Sequence, residues 1–380
     1  MSKIKLRIYK AFPAYQKYLD LFYNKNDVLK QASYHTQLNA LKSDFFPWVL
    51  SWSIFNNDDS VEIFETIHNA YYLQQAWGND VYKNDENWQQ NIVLAQIKEF
   101  QPEVCVLYSP EFFKEDFLSK VRSVVHHDIL IGGYDGMDRQ NIDLYKGYDF
   151  VITCSKYISN YYWRNNKISY PLEFAFDPSV NKQLRNTNSN YAVGFSGSMF
   201  KSVHNDRVEL LRYLAVKTPI VISSDFELNR SYSLLSYDCI RSIYKRRFKE
   251  FYSMYCLHKK NIGPLYGLDM FQFLKDSLIS LNLHGDRITF AANVRLYEAT
   301  GVGSCLLTDW KENIGELFVP DKEIVTFACK EEALDKIKYL KRHDYERRKI
   351  AENGHIRTLS EYTYSKRIPG VIEFVRTIVN

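Results

Sequence analysis

One segment in the last third of the chain contains polar side chains whose types and spacing suit the binding of an anionic ligand. Arg295 and Glu298 stand three positions apart, so they share one face of a predicted helix. The start of that helix at Asn293 offers unpaired backbone amides and the positive end of a helix dipole, which both favour phosphate. His284 and Asp286 belong to the polar loop before it. We expect a phosphate-binding site here, although Arg295 and Glu298 could equally form a simple ion pair, and His284 could equally be a loop residue bonded to the backbone.

The elements predicted around these residues form a βαβ unit. A short apolar strand at 279–283 leads into the polar loop, a helix at 293–300 follows, and a second strand is predicted at 304–308. The loop would lie where the carboxyl ends of parallel strands open into a crevice, which is where open α/β sheets bind ligands. Gly301 and Gly303, in the turn after the helix, lack side chains and would let a ligand approach closely.

A second candidate phosphate site follows another predicted strand earlier in the chain. Gly197 and Ser198 form a short turn at the end of that strand, and Arg207 stands at the start of the next predicted helix. A guanidinium there could reach an anion that is held by the backbone amides of the turn. We therefore predict that the two segments bind the same anionic group from two sides.

The β-α rhythm of the whole chain predicts two doubly wound parallel sheets. A length of 380 residues also favours two hydrophobic cores over one. The segment 178–190 is polar, rich in Asn and without periodicity, so it is predicted to be a linker. Residues 1–180 and 190–363 are the two predicted α/β domains, and a final helix is predicted at 366–379.

The composition is that of a globular protein, with 46% hydrophobic and 25% charged residues. A net charge of +4 is too small to argue for a nucleic-acid partner. The six cysteines show no metal-ligand or CxxC spacing, and the His-x-Asp pair of the loop lacks a third ligand nearby, so we expect neither a metal nor a disulfide framework. Because no apolar run approaches the ~20 residues that span a bilayer, and no apolar signal segment stands at the start, we expect a cytoplasmic protein.

The segment Arg241–Lys260 departs from this rhythm. Tyr244, Phe248, Phe251 and Tyr255 recur at helical spacing, with Lys and Arg side chains between them. Such an amphipathic helix usually packs its aromatic face on the domain and exposes its basic face to water. The same pattern could instead form a peripheral contact with anionic lipids at the inner face of a membrane.

The chain resembles GT-B glycosyltransferases, in particular the "glycosyl transferases group 1" branch that includes the CgeB-like spore-maturation proteins. The likeness implies an α/β protein with the GT-B fold. This fold has two Rossmann-like doubly wound domains that face each other across a cleft, with a C-terminal helix at 364–380 crossing back to the N-terminal domain. The matching segments keep their order through most of the chain, and they are residues 30–77, 96–104, 148–155, 172–178, 193–198, 277–318 and 359–367.

The resemblance also implies roles for the polar residues of the first segment. Glu298 is similar to the second acidic residue of the group 1 E-x7-E pattern, which holds the ribose of a nucleotide-sugar donor. The first acidic residue of that pattern falls on Phe290, so the pattern is incomplete here and Asp286 could serve instead. Arg295 would neutralise phosphate charge as the nucleoside diphosphate leaves. His284 would contact the donor phosphate or sugar.

The acceptor substrate is assigned by the same resemblance to the N-terminal domain. Asp135 ends a predicted strand and is similar in position to an acidic residue of the relatives. An inverting enzyme needs a general base near the acceptor hydroxyl, and Asp135 or His127 is the best candidate, although Asp135 could equally be a turn residue before a glycine. Tyr134, Glu65 and Asn69 are further candidates on the acceptor side.

The function implied is metal-independent transfer of a sugar from a nucleotide diphosphate sugar to a glycan, lipid-linked or protein acceptor, with no cofactor besides the donor. Because the acidic pattern is incomplete, two alternatives stay open. One is a non-catalytic protein that binds a sugar or nucleotide on the same scaffold, and the other is a nucleotide-sugar epimerase. If Arg295 and Glu298 bind the nucleotide as assigned, Glu298→Ala and Arg295→Ala should each weaken nucleotide binding without unfolding the protein.

Overall fold

The chain forms two compact α/β units. The computed structural model describes residues 5–46, 50–187, 190–199, 204–226, 237–245, 247–286 and 288–379. The first unit comprises the described residues up to Phe174 together with a C-terminal helix from Tyr364, and the second runs from Ala175 to Thr363. The segment predicted as a linker begins the second unit, where Val180–Gln183 form a short helix, and its residues 188–189 lie outside the described part of the chain.

The first unit is built on a six-stranded sheet in the order β2-β1-β3-β4-β5-β6, with every pair of neighbours parallel. Its strands are β1 Leu6–Phe12, β2 Val61–Ile67, β3 Val104–Leu107, β4 Leu130–Asp135, β5 Phe150–Thr153 and β6 Ile168–Pro171. Its helices are α1 Gln16–Lys25, α2 Tyr34–Ser43, α3 Ser51–Phe55, α4 Tyr71–Trp77, α5 Trp88–Phe100, α6 Glu115–Val124 and α7 Lys156–Arg164, with 3₁₀ turns at Asp27–Gln31 and Ile142–Tyr145.

The second unit is built on a five-stranded parallel sheet in the order β11-β10-β9-β7-β8. Its strands are β7 Val193–Ser196, β8 Ile220–Ser223, β9 Ile279–Asn282, β10 Cys305–Asp309 and β11 Val325–Phe327. Its helices are α8 Val180–Gln183, α9 Asn205–Lys217, α10 Tyr237–Tyr244, α11 Phe248–Lys260, α12 Gly267–Lys275, α13 Arg295–Gly301, α14 Ile314–Leu317, α15 Lys330–Arg342 and α16 Asp344–Glu361.

The last helix, α17 Tyr364–Val379, belongs to the first unit. Its Arg376 bonds Asp58 and Ser60 just before β2, and its Arg367 lies 2.7 Å from Glu173. The ring of Phe374 stacks on Tyr170 of β6 at 4.9 Å. The end of the chain is therefore fixed to the first unit by charge as well as by ring packing.

The strands are short apolar runs because helices cover both faces of each sheet, as is typical of parallel α/β folds. Every residue of β3, β5 and β7 is buried. The prediction of two doubly wound parallel sheets is confirmed. In each sheet the chain reverses its direction of growth once, between β1 and β3 in the first and between β7 and β9 in the second. Ligands of such sheets bind beyond the carboxyl ends of the strands at these reversal points.

The aromatic and basic segment Arg241–Lys260 forms two helices instead of the single predicted one. α10 ends at Tyr244 and α11 begins at Phe248, while Arg246 lies outside the described residues. Phe251 is buried, whereas Tyr244 is 89% exposed. The four-residue spacing of the aromatic side chains continues across the break, which is why periodicity alone could not locate it.

Candidate functional site

His284 lies directly after β9, at the reversal point of the second sheet, and Asp309 at the end of β10 holds it. Oδ1 of Asp309 accepts a hydrogen bond from the His284 backbone amide at 3.0 Å and lies 2.7 Å from Nδ1 of the ring. Burial alone would raise the pKa of Asp309, but the hydrogen bonds from the ring and the backbone of His284, together with the charge of Lys311, outweigh it and lower that pKa. Nε2 of His284 is buried and has no hydrogen-bond partner among the described residues.

The loop between β9 and α13 is held in place by alternate residues of the segment that follows β10. After Asp309, Lys311 donates from Nζ to the carbonyl of Ile288 at 2.6 Å. Asn313 accepts from the Ala291 amide at 2.6 Å and donates to the Ala291 carbonyl at 3.0 Å. Three side chains of the segment 309–313 therefore fix the loop that joins His284 to α13.

Arg295 and Glu298 form a buried ion pair within α13. Nη1 of Arg295 lies 2.7 Å from Oε2 of Glu298, with side-chain exposures of 13% and 4%. Despite that distance, no donor in the described residues is aligned well enough on Oε2 to form a hydrogen bond. Burial raises the pKa of Glu298, and the charge of Arg295 opposes this shift. The side-chain oxygen of Asn293 accepts a hydrogen bond from the Arg295 backbone amide at 2.9 Å. One of the backbone amides that were predicted to bind phosphate is therefore already bonded within the protein.

Arg207 connects the two central strands of the second sheet. Its Nη1 donates to the Ser198 carbonyl after β7 at 2.7 Å, and its Nη2 donates to the Leu283 carbonyl after β9. The Gly197 amide donates to the Ser223 carbonyl at the end of β8. The predicted cradle of Gly197, Ser198 and Arg207 therefore lies at the carboxyl edge of this sheet, where the Gly197 amide, the Ser198 carbonyl and both terminal nitrogens of Arg207 are bonded within the protein.

Asp286 caps the amino end of α9. One carboxylate oxygen accepts a hydrogen bond from the Asn205 backbone amide at 2.6 Å, and the other accepts one from the Asp206 backbone amide at 3.3 Å. A carboxylate at this position stabilises the helix through its dipole and its unpaired amides. The structure therefore gives Asp286 a capping role and shows no contact between it and the Arg295–Glu298 pair.

The structure explains Gly301 and Gly303 by local packing and turn geometry, whereas the sequence predicted that they let a ligand approach closely. A Cβ atom on Gly301 would lie 2.4 Å from the ring of Phe176, and Gly303 has a φ of +84° in the turn before β10. Both residues precede the amino end of β10, so they lie at the sheet edge opposite to His284. Packing and turn geometry account for these glycines.

In the first unit, Asp135 has both carboxylate oxygens occupied. Oδ1 accepts a hydrogen bond from the Met137 amide at 3.0 Å. Oδ2 accepts hydrogen bonds from the Arg139 amide at 3.2 Å and from the Tyr162 hydroxyl at 2.9 Å. The residue is 0% exposed, so its carboxylate fixes the turn after β4. His127 precedes β4, and its Nε2 lies 3.1 Å from the Pro102 carbonyl. The two base candidates therefore lie at opposite ends of one strand, and the structure does not bring them together.

The acceptor-side candidates are also bonded within the first unit. Glu65 accepts from Nζ of Lys10 at 2.7 Å and from the backbone amides of Trp52 at 3.1 Å and Ser53 at 2.6 Å. The side chain of Asn69 donates a hydrogen bond to the Ala14 carbonyl at 2.8 Å and accepts one from the Ala14 backbone amide at 2.9 Å. The ring of Tyr134 lies 5.3 Å from that of Phe12 and 5.2 Å from that of Tyr108. These contacts order the carboxyl edge of the first sheet.

Two residues at the carboxyl edges were not found from the sequence. Asp309 was missed because its partner His284 is 25 positions away, although its place after an apolar strand was a usable signal. His68, directly after β2, is buried, and neither ring nitrogen has a partner in the part of the chain that the structure describes. Burial lowers the pKa of His68 to about 3, so it is neutral at pH 7. Its ring stacks on Phe112 at 5.5 Å.

Two features are absent from the described ranges of the chain. No group of three or more His, Cys, Asp or Glu side chains is placed to hold a metal ion. No helix is both long and apolar enough to cross a bilayer.

The second unit also has a surface groove of about 630 Å³. It contains none of the predicted site residues, and it is lined by residues of and beside β11, α15 and α16: Asp321, Val325, Glu332, Asp335, Lys336, Tyr339, Leu340, Glu346 and Ile350. The groove therefore gives no support to the predicted nucleotide-sugar site.

The comparison with protein families identifies one domain. Residues 205–373 match the family model described as glycosyl transferase-like. This range contains α9, the His284 loop, the Arg295–Glu298 pair and Asp309. No curated protein shows significant sequence similarity to the chain.

The solved structures that resemble the chain include proteins named as a glycosyltransferase, a sucrose-phosphate synthase and a putative UDP-N-acetylglucosamine 2-epimerase. HepE from Anabaena in complex with UDP-glucose has a TM-score of 0.58 and 10% identity, covering 98% of this chain and 99% of that one. A glycosyltransferase from Rickettsia africae has a TM-score of 0.54 and 12% identity, covering 99% of each chain. Sucrose-phosphate synthase from Thermosynechococcus elongatus has a TM-score of 0.55 and 9% identity, covering 79% of each. The chain therefore has the α/β fold of GT-B glycosyltransferases, with two parallel sheets, and carries a glycosyl transferase-like domain over residues 205–373.

Proposed function

We propose that this protein transfers a sugar from a nucleotide diphosphate sugar to a glycan, lipid-linked or protein acceptor, without a metal ion, and that it belongs to the CgeB-like part of the group 1 branch. The observation that carries the proposal is the buried Arg295–Glu298 pair, which lies inside the glycosyl transferase-like domain on the helix that follows the His284 loop. HepE, whose fold this chain shares, binds UDP-glucose. A nucleotide-sugar donor offers the hydroxyls and the diphosphate that such a pair can bind.

In the proposed reaction, Glu298 accepts hydrogen bonds from ribose hydroxyls and Arg295 faces the diphosphate. Oε2 of Glu298 has no aligned donor in the described structure, so it can accept a hydroxyl without losing an existing hydrogen bond. Arg295 keeps its charge at any physiological pH and can stabilise the negative charge that develops on the leaving nucleoside diphosphate. Electrostatic stabilisation of this kind needs no metal and no cofactor beyond the donor itself.

We propose further that the anomeric configuration of the sugar is retained. A retaining reaction needs no general base at the acceptor hydroxyl, whereas an inverting one does. Both oxygens of Asp135 and both of Glu65 already accept hydrogen bonds. His68 is a weak base because its pKa is about 3. These occupied or weakly basic groups favour retention over inversion.

A panel of UDP-, GDP- and dTDP-sugars tests the proposed function. We expect donor hydrolysis or transfer with one donor, undiminished by a metal chelator, and NMR of the product should show the donor's anomeric configuration. Glu298→Gln should reduce turnover, whereas Glu352→Gln, at an exposed position of α16, serves as the matched control. Binding without turnover would instead indicate a non-catalytic binding protein, and isomerisation of the sugar would indicate an epimerase.

We also propose a cytoplasmic location with peripheral contact to anionic lipids through α10 and α11. These helices expose large apolar side chains at Ile240 (64%), Ile243 (57%), Tyr244 (89%), Phe248 (41%) and Tyr252 (40%). The cations beside them are exposed as well, at positions 241, 245, 247 and 249. Apolar side chains that insert at the headgroup boundary, surrounded by cations, are the features that bind an interfacial helix to an anionic bilayer.

Co-sedimentation with lipid vesicles measures this contact. We expect binding to vesicles that contain phosphatidylserine, little binding to pure phosphatidylcholine, and weaker binding at high salt because screening shortens the range of the attraction. Since each buried apolar side chain contributes about 1.5–3 kcal/mol, Ile240→Ser with Tyr244→Ser should lower the affinity by roughly tenfold or more. Tyr345→Ser, at a residue that is 80% exposed on α16, should leave binding unchanged. Equal binding of the double variant and the wild type would contradict the proposal.

A further inference from the structure

The ring of His284 lies beside a carboxylate that fixes which ring nitrogen carries a proton. Oδ1 of Asp309 accepts hydrogen bonds from the His284 backbone amide at 3.0 Å, from Nδ1 of the His284 ring at 2.7 Å and from the Thr308 hydroxyl at 3.3 Å. Oδ2 of Asp309 lies 3.3 Å from Nζ of Lys311. The side chains of His284, Asp309 and Lys311 are 1%, 14% and 17% exposed. The carboxylate therefore has a cation on one oxygen and the imidazole on the other.

A carboxylate can only accept hydrogen bonds, so Nδ1 of His284 must carry a proton. The negative charge of Asp309 is already balanced by Lys311, and a second cation, Arg207, bonds the carbonyl of Leu283 immediately before the histidine. Asp286, which also belongs to this loop, accepts hydrogen bonds from the amides at the start of α9. In the neutral imidazole, the proton on Nδ1 leaves the lone pair of the ring on Nε2.

Nε2 is then a buried acceptor to which nothing in the described residues donates. Buried polar atoms are nearly always hydrogen-bonded, and an exception at the carboxyl edge of a parallel sheet suggests a partner that arrives with the ligand. A phosphate oxygen cannot be that partner, because it too is an acceptor. A hydroxyl group can donate to Nε2, and a nucleotide sugar carries hydroxyls on both its ribose and its sugar.

We propose that Nε2 of His284 accepts a hydrogen bond from a hydroxyl of the nucleotide-sugar donor, and that Asp309 is a positioning residue that fixes the required tautomer. This inference rests on the proposed function, since it names the part of the donor that the loop recognises. It gives His284 a role different from phosphate binding, because an unprotonated nitrogen repels phosphate oxygens.

The tautomer can be measured without any ligand, by ¹⁵N NMR of histidine-labelled protein in which His284→Gln identifies the signals. We expect Nδ1 to be protonated and Nε2 to be unprotonated at pH 7 in the wild type. Asp309→Asn should populate the other tautomer, because its amide can donate to the ring as well as accept from it. A protonated Nε2 in the wild type at pH 7 would overturn the inference.

Calorimetric titration measures the hydroxyl contact with nucleoside diphosphates and their glucose conjugates. In His284→Gln the amide reaches the Nε2 position and can still accept, whereas in His284→Asn it occupies the Nδ1 position and Nε2 has no replacement. Loss of one neutral hydrogen bond should weaken binding of the Asn variant by about 3- to 10-fold, with the Gln variant closer to the wild type. If only the glucose conjugates weaken, the hydroxyl belongs to the sugar; if the free diphosphates weaken equally, it belongs to the ribose.

The titration also separates two kinds of failure. An Asn variant that binds every ligand as tightly as the wild type overturns the hydroxyl contact while leaving the proposed function intact. A wild type that binds no nucleotide or nucleotide sugar defeats the proposed function, and the hydroxyl contact with it, while the NMR result on the tautomer still stands. Melting temperatures of both His284 variants identify any loss of folding.

Discussion

Glu65→Ala is expected to lower the free energy of unfolding by about 3–5 kcal/mol, because it leaves a buried ammonium without its carboxylate. Lys10 and Glu65 lie on neighbouring parallel strands, with side chains that are 1% and 0% exposed. Nζ of Lys10 also lies 4.3 Å from the ring centre of Phe12, and a cation–π contact of about 0.5–2 kcal/mol does not replace the lost carboxylate. Urea denaturation measures this loss directly.

The matched control is Glu62→Ala on the same strand. Glu62 pairs with Arg7 at 3.4 Å, but its side chain is 47% exposed, and exposed pairs contribute only about 0–1 kcal/mol. A double variant, Lys10→Met with Glu65→Gln, should regain most of the lost stability, because the amide oxygen can still accept a backbone amide and no charge remains buried. If Glu65→Ala were no more destabilising than Glu62→Ala, the buried pair would have no such structural role.

The same variant should depend on pH in a defined direction. Burial lowers the pKa of Lys10, and the charge of Glu65 opposes this shift, so removing Glu65 lowers the pKa further. Between that lowered pKa and the ordinary value of 10.5, the unfolded chain binds more protons than the folded one. Raising the pH through this window therefore favours the folded state, and Glu65→Ala should regain stability as the pH approaches 10.5.

The sheets could be predicted from the sequence because their strands are short apolar runs that alternate with helices. What could not be predicted is where a polar residue lies along a strand relative to its ligand-binding edge. Asp135 and His127 stand eight positions apart in the sequence. His127 precedes β4 and Asp135 is its last residue, so the length of the strand, six residues at about 3.3 Å each or roughly 20 Å, separates them. One site at a single edge cannot use both.

The pairing of polar residues was also beyond the sequence. Lys10 and Glu65 are 55 positions apart, and His284 and Asp309 are 25 apart, so each contact depends on which strands become neighbours. By contrast, Arg295 and Glu298 lie three positions apart on one predicted helix face, and they are in contact as an ion pair. Local spacing therefore predicted this contact, whereas the long-range ones required the sheet order.

Arg295→Ala is expected both to abolish binding of the nucleotide sugar and to destabilise the protein by about 3 kcal/mol or more. The expectation from sequence was weaker binding without unfolding. The burial of Glu298 adds a loss of stability, because the variant leaves a carboxylate without its cation at a position that is 4% exposed. Burial raises the pKa of Glu298, and removing Arg295 raises it further. Since the folded state then binds the extra proton, lowering the pH toward the ordinary value of 4.5 should restore part of the stability.

A double variant separates the structural role of this pair from its proposed role in binding. Arg295→Met with Glu298→Leu replaces both charges by apolar side chains of similar size, which is often neutral or stabilising for a buried pair. We expect thermal and urea unfolding close to those of the wild type, but no measurable binding of nucleotide sugar by calorimetry. A stable double variant that still binds the donor with wild-type affinity would show that the pair only stabilises α13, and the donor site would then have to be sought elsewhere in the chain.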